Sequence, residues 1–319
     1  MFKKIALVIP SFLVIFFLFQ GVSNADKSGI IKISKFGNTS QLVGAEIIGQ
    51  LLEMIGEKIE YIYSDKKKVY QSTADGNIDI IHEAQGDTYI KELNKGGIKE
   101  IKIYDAFFRE DWWYPRYVER VCSGLPDWKA LNKCSEKFAS ENSNGKGLFF
   151  TGPIEWQNHD NEKIEALGMN FVVKNLNTTK DIWKKLDEAV KEKTPIVIYN
   201  WSPNFIGTKY SGKFVEFPKY DPRCITEPSW GINPNALYDC GNPTNIFFKL
   251  AVNENFETNH PKAYQVIKNI TFSSLDMDRM VYYVEWFKAN YTEEEGLKEF
   301  HAASQWIKDN KEKWSKWIK

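Results

Sequence analysis

From Ile31 to Ile81 the chain alternates strand and helix patterns, and this alternation restricts its fold more than any other feature. Ile31-Lys32-Ile33-Ser34-Lys35 alternates apolar and polar residues like a half-buried strand. Gly37-Asn38-Thr39-Ser40 supplies turn and N-cap chemistry. Leu42, Ala45, Ile48, Gly49, Leu52 and Ile55 then recur at helical spacing until Gly56. A second strand spans 59–63, a helix 67–74 stops at Asp75-Gly76-Asn77, and a third strand covers 78–81. Such a β-α-β-α-β order calls for a parallel sheet with right-handed crossovers. The third strand runs into His82-Glu83-Ala84-Gln85, a strand end expected to present polar groups.

A second α/β unit is expected over 119–244, after a strand near 100–106. The apolar run Leu148-Phe149-Phe150 stops at Thr151-Gly152-Pro153 and is followed by Glu155 and Trp156. A helix 160–167, a strand 170–174 and an amphipathic helix 179–193 come next, the last with Ile182, Leu186, Ala189 and Val190 inward. Ile196-Val197-Ile198-Tyr199 has the composition of a fully buried strand. It is expected to stop at Asn200, with Trp201 just beyond and Pro203 blocking any continuation. Twice, then, an indole is delivered at the carboxyl end of a strand, where open α/β sheets hold ligands. Trp112-Trp113-Tyr114-Pro115 suits neither a helix nor a central strand, and the adjacent rings must diverge, so at most one faces a shared site. From 245 the chain returns to the first unit with a strand 248–252 and C-terminal helices. There Trp306, Trp314 and Trp317 sit among lysines and are expected to grip the surface of the first unit.

The residues before 26 read as a leader. Lys3 and Lys4 precede an apolar run from Ile5 to Phe19, and Ser23-Asn24-Ala25 has the small-x-small form of a signal-peptidase site. Cleavage near Ala25 would release an exported chain, and no Cys follows the apolar run to take a lipid anchor. Removing Lys3 and Lys4 leaves 40 basic against 42 acidic residues, which gives no electrostatic case for nucleic acid. Four cysteines lie in the exported part. Of three connectivities, Cys122–Cys134 with Cys224–Cys240 is the economical one, each closing a short loop. A metal site is the alternative, but no CxxC and no His pair supports it, and neither metal nor cofactor is expected.

Catalysis finds little support: no Ser has a GxSxG context, and the four His are isolated in sequence. Aromatics make up 15% of the chain, including 11 Trp. Indoles at strand ends of an uncharged, exported two-unit chain suit capture of a small cation. A quaternary ammonium cannot donate conventional hydrogen bonds and is recognised by the negative faces of aromatic rings.

The stretches Ala74 to Asp79, Trp112 to Tyr117, Gly147 to Trp156, Tyr199 to Pro203 and Phe272 to Met277 resemble the substrate-binding proteins of glycine betaine/proline betaine ABC importers. The resemblance implies an α/β fold of the periplasmic-binding type II, with two lobes hinged around a ligand cleft. Residues 26–118 and 245–319 would form one lobe and 119–244 the other. By the family's pattern Trp156, Trp201 and Trp112 fall on cage positions, while Gln85 stands where the family often has another Trp. Gln85 could hydrogen-bond a small polar head, with Trp112 or Trp113 supplying the missing wall. Asn38, Thr39, Asn200 and His159 are candidates for the ligand's other end. Glu155 is awkward for a carboxylate ligand and suits choline or a protonated trimethylamine N-oxide. The partners implied are a methylated ammonium ligand, glycine betaine first, and an inner-membrane ABC permease, with the periplasmic protein a monomer. Two other readings stay open: a secreted enzyme acting through His82, Glu83 and Glu155, and a ligand-binding domain that signals to a membrane receptor.

Overall fold

In a computed structural model, residues 29–244, 246–291 and 297–319 are described. The leader and its cleavage site lie outside them.

The first unit follows the expected alternation. In chain order it comprises β1 (Ile31–Lys35), α1 (Thr39–Met54), β2 (Ile59–Tyr63), α2 (Val69–Ala74), β3 (Ile80–Ala84) and α3 (Gly86–Lys95). β1 pairs in parallel with both β2 and β3. An 18-residue strand follows, β4 (Ile98–Pro115). Then come α4 (Trp128–Lys133), β5 (Gly147–Thr151), α5 (Asp160–Ala166), β6 (Phe171–Asn175), α6 (Thr179–Glu192), β7 (Val197–Ser202), α7 (Ile206–Lys209) and β8 (Gly212–Phe214). β9 (Ile246–Asn253) leads back to α8 (Phe256–Asn259), α9 (Pro261–Ile267), α10 (Ser274–Asn290), α11 (Leu297–Asp309) and α12 (Lys311–Trp314).

The sheet runs in the order β2-β1-β3-β9-β4-β7-β5-β6, with β8 on β4. β4 joins its two halves. Its first part pairs with β9 as far as Phe108↔Ile246, and from Arg109↔Ser202 it pairs with β7. The chain therefore crosses between halves inside a continuous strand, some ten residues before 118. Two sets of apolar clusters match this division. One packs α1, α9, α10 and α11 against β1, β3 and β9; the other surrounds β4 beyond the crossing, β5 and β7.

Both disulfides form as paired on the sequence, Cys122–Cys134 and Cys224–Cys240. The first clamps α4, whose N-terminus is capped by Asp127 accepting from the Lys129 and Ala130 amides. Trp306 and Trp317 are not surface grips. They stack 6.0 Å apart inside the main core, edge-on to Phe272. The Lys-rich spacing around them misleads because the intervening residues face outward from a docked helix.

The end of β3 also departs from expectation. His82 and Glu83 belong to the strand and are buried. Gly44 of α1 makes room for the imidazole, since a Cβ there would come within 2.0 Å of it. His82 Nδ1 lies 3.1 Å from the Tyr104 hydroxyl, and burial holds the ring neutral, its pKa lowered to about 3. Glu83 has a left-handed backbone (φ 60°), and its Oε1 has no hydrogen-bond partner. Burial pushes its carboxyl up to about 8 from an ordinary 4.5. The neutral acid is thus the tolerated form. Stability from this group is intact below pH 4.5 and is lost as pH rises through about 8. Glu83→Gln is expected to abolish that loss. In urea unfolding the variant should be roughly 2–4 kcal/mol more stable than wild type at alkaline pH and little changed in mild acid.

Candidate functional site

The β4–β7 register builds the site. Glu110 lies opposite Trp201 and Trp112 opposite Tyr199. Directly opposed residues share a face, as do residues two apart on one strand. Glu110, Trp112, Tyr199 and Trp201 therefore project on the same side of the sheet, and Asp111, Trp113, Ile198 and Asn200 on the other. β7 does not stop at Asn200 as expected but runs to Ser202, so Trp201 is a strand residue with a fixed direction. β5 lies beside β7 in parallel, and beyond its end a single turn over 154–156 returns Trp156 above the same face.

Three rings meet there. The Trp156 centroid is 5.5 Å from Tyr199 and 6.4 Å from Trp201, and Tyr199 is 6.1 Å from Trp201, all tilted or edge-to-face. Trp183 of α6 extends the group, 5.4 Å from Trp201. Trp156 is 37% exposed and Trp201 half-buried, so the rings form an open corner rather than a closed core. Gly152 permits the fold-back, because a Cβ on it would lie 2.4 Å from the Trp156 ring.

Acidic groups underlie this corner. Tyr199 donates its hydroxyl proton to Glu110 Oε2. Burial first, and then the Glu110 charge, raise the Tyr199 phenol well above its usual range. Asp160, at the start of α5, is buried and pushed up to about 6 by desolvation, against the pull of Lys163. Lys163 is itself buried and paired with Asp111 at 3.1 Å. With Asp111 offset by Lys163, Glu110 and Asp160 are the carboxyl groups left beside Tyr199, and they favour a cation above the corner.

Trp112 is not a wall of the corner. It is 0% exposed, stacked on Phe149 at 3.9 Å, with its indole N–H donating to Asp160 at 2.8 Å. It lies directly opposite Tyr199, one same-face pair further along the strands than Trp201, and there Phe149, Phe171 and Phe217 enclose it. Trp113 points to the opposite face and packs in the α6 cluster with Ile182, Leu186 and Ile198. The two rings diverge as expected. Both, however, are core residues of a central strand, and neither supplies the wall missing at Gln85.

A cleft of about 890 Å³ lies between the halves. Trp183, Trp201 and Phe205 line it on one side, and Asn38, Thr39 and Val281 on the other. Gln85 lines an adjoining cavity with Tyr70 and Phe108, and Asn38 borders both. Glu155 is exposed on the Trp156 turn, so the carboxylate beside the rings is Glu110 instead. His159 stacks on Tyr238 at 4.3 Å, and Asn200 is buried on the far face of β7. His82 and Glu83 face the core of one half and Glu155 the solvent of the other, so these three do not converge on a reaction centre. Among the described residues no group of His, Cys, Asp and Glu could hold a metal ion.

Tyr199 is the residue that sequence reading should have added, because it precedes Trp201 by two positions in a strand. Glu110 became visible only through the β4–β7 register, and Trp183 only through the docking of α6.

The profile of the substrate-binding domain of ABC-type glycine betaine transport systems matches residues 29–309. A trimethylamine N-oxide-binding protein of Pelagibacter ubique (strain HTCC1062) is 32% identical over 332 aligned positions, covering 99% of this chain and 100% of that one. A glycine betaine/carnitine transport binding protein of Listeria monocytogenes serotype 1/2a (strain 10403S) is 29% identical over 141 residues, 44% of this chain and 37% of its own. Lactococcal OpuAC, in its closed-liganded conformation with glycine betaine, superposes with a TM-score of 0.53 at 17% identity, covering 91% of this chain and 99% of that one. The glycine betaine/L-proline-binding protein ProX of Borrelia burgdorferi gives 0.53 at 15%, covering 91% and 97%. At these identities the two structures speak for the fold, which is the periplasmic-binding type II α/β architecture. The chain belongs to the substrate-binding family of ABC-type glycine betaine transport systems.

Proposed function

We propose that the protein is exported, captures a trimethylammonium compound lacking a carboxylate, trimethylamine N-oxide or choline, and delivers it to an ABC permease without chemically changing it. The observation that carries this reading is the corner of Trp156, Tyr199 and Trp201 with Glu110 against it. Methyl groups bearing the ammonium charge would rest on the ring faces, each contact contributing about 0.5–2 kcal/mol. Glu110 would accept a hydrogen bond from the hydroxyl of choline or from a proton held on the N-oxide oxygen. The same carboxylate would repel glycine betaine, which ends in a carboxylate of its own. The full-length likeness to a trimethylamine N-oxide-binding protein supports the N-oxide first. Asn38, Thr39 and Gln85 would close over the ligand from the facing half, with the hinge inside β4 and ahead of β9.

Isothermal titration with trimethylamine N-oxide, choline and glycine betaine tests this directly. The first two should bind more tightly than the third. Capture of the N-oxide should strengthen as pH falls, because a proton must sit between two oxygen atoms, whereas choline binding should not. Glu110→Gln is expected to weaken the N-oxide and choline about 10-fold or more, by loss of a charge-assisted hydrogen bond, and to narrow their lead over glycine betaine. Glycine betaine binding tightest to wild type, with Glu110→Gln indifferent, would reject the assignment of Glu110.

A further inference from the structure

The segment that follows Trp201 is held from the other half of the molecule. Asp278 lies on α10, whose neighbouring Met277, Met280 and Val284 are buried in the core of the first half. Its side chain reaches across to the segment after Trp201. Oδ1 accepts from the Asn204 amide at 2.8 Å and from the Ser202 hydroxyl at 3.3 Å. Oδ2 rests on Gly207 of α7, where an added Cβ would lie 2.4 Å from it. Asn204 is buried, and its side-chain amide donates onward to Asn200 Oδ1 at 3.2 Å. Trp201 is thus flanked by Asn200 and Ser202, both tied directly or through Asn204 to one carboxylate. Ser202 also pairs with Arg109, one residue beyond the point where β4 crosses between the halves.

We propose that Asp278 is a positioning residue for the ligand wall, setting the direction of the Trp201 ring and coupling it to the placement of the two halves. The inference rests on the reading of Trp201 as part of that wall. A strut beside the crossing strand can stay made while the halves rotate about it, whereas a contact at the cleft mouth would break. Burial pushes the Asp278 carboxyl up to about 6, so a charged group is kept there at a disadvantage that an apolar residue would not carry.

The test uses three variants of the full chain, Asp278→Ala, Asp278→Asn and Gly207→Ala, with trimethylamine N-oxide and choline as probes. Asp278→Ala should weaken both about 5- to 10-fold and change the near-UV circular dichroism of the ligand-free protein. Asp278→Asn, which keeps an acceptor oxygen, should stay within about twofold of wild type. Gly207→Ala leaves the carboxylate in the protein but displaces it. It should copy Asp278→Ala, and the double variant should be no worse than either single one, as for two changes acting through one contact. Wild-type affinity in Asp278→Ala, no rescue by Asn, or additive losses in the double variant would each overturn the proposal. If Asp278→Ala does not fold, Gly207→Ala and Asp278→Asn decide alone. If wild type binds neither probe, the ligand reading falls, and an unchanged near-UV spectrum in Gly207→Ala would still reject the positioning role.

Discussion

Trp201→Ala is expected to weaken capture of a trimethylammonium ligand by about 10- to 100-fold while leaving the fold intact. The estimate combines one lost cation–π contact, about 0.5–2 kcal/mol, with the apolar area the methyl groups would no longer cover. Trp201 is half-buried against Tyr199 and Trp183, so part of its ring supports its neighbours rather than the ligand. A stability loss of about 1–2 kcal/mol should accompany the affinity loss. Trp156→Ala should cost affinity with less stability, because that ring is more exposed. The two rings touch, so the double variant should lose less than the product of the single effects. Calorimetric titration and thermal unfolding of the same samples separate the contributions. Undiminished affinity in both single variants would remove the aromatic corner from the site.

Trp112→Ala should do the opposite: destabilise the fold by roughly 3–5 kcal/mol, without touching the ligand in protein that remains folded. The indole lies against three Phe rings, and alanine would leave a cavity among them. Its N–H also supplies a hydrogen bond to the buried Asp160, whose second oxygen already lacks a partner. Trp112→Phe keeps the stack on Phe149 but withdraws that donor. It should cost about 1–3 kcal/mol, the penalty of an unsatisfied buried polar group. Urea unfolding measures both, and ligand titration at low temperature checks binding. A stable, non-binding Trp112→Ala would return the residue to the cage and contradict its burial.

The contrast between Trp112 and Trp201 shows where sequence reading runs out. Both stand on strands, and the resemblance gave both the same role. They even share a face, by a register that sets Glu110 opposite Trp201 and Trp112 opposite Tyr199, residues about 90 apart in the chain. Which of them meets solvent depends on how far Phe149 and Phe217 cover the sheet, and that depends on the neighbouring β5 and the 217–218 segment. The misread end of β3 has the same origin. His82 and Glu83 look like strand-end polar groups until Gly44 of α1 lets the helix close over the imidazole.

What the sequence determined by itself was local: the strand–helix alternation of the first unit, the helix that the 179–193 periodicity announces, the disulfide pairs and the two indoles delivered near strand ends. Propensity, capping and short loops act over a few residues, so their signals survive in the linear chain. Tertiary structure alone decided that β4 serves both halves, that Trp112 is core, that Glu110 and Tyr199 complete the aromatic corner, and that Asp278 of α10 reaches the segment after Trp201. Each of these is a contact between segments tens of residues apart, set by sheet register and by burial, and neither leaves a mark on the order of residues.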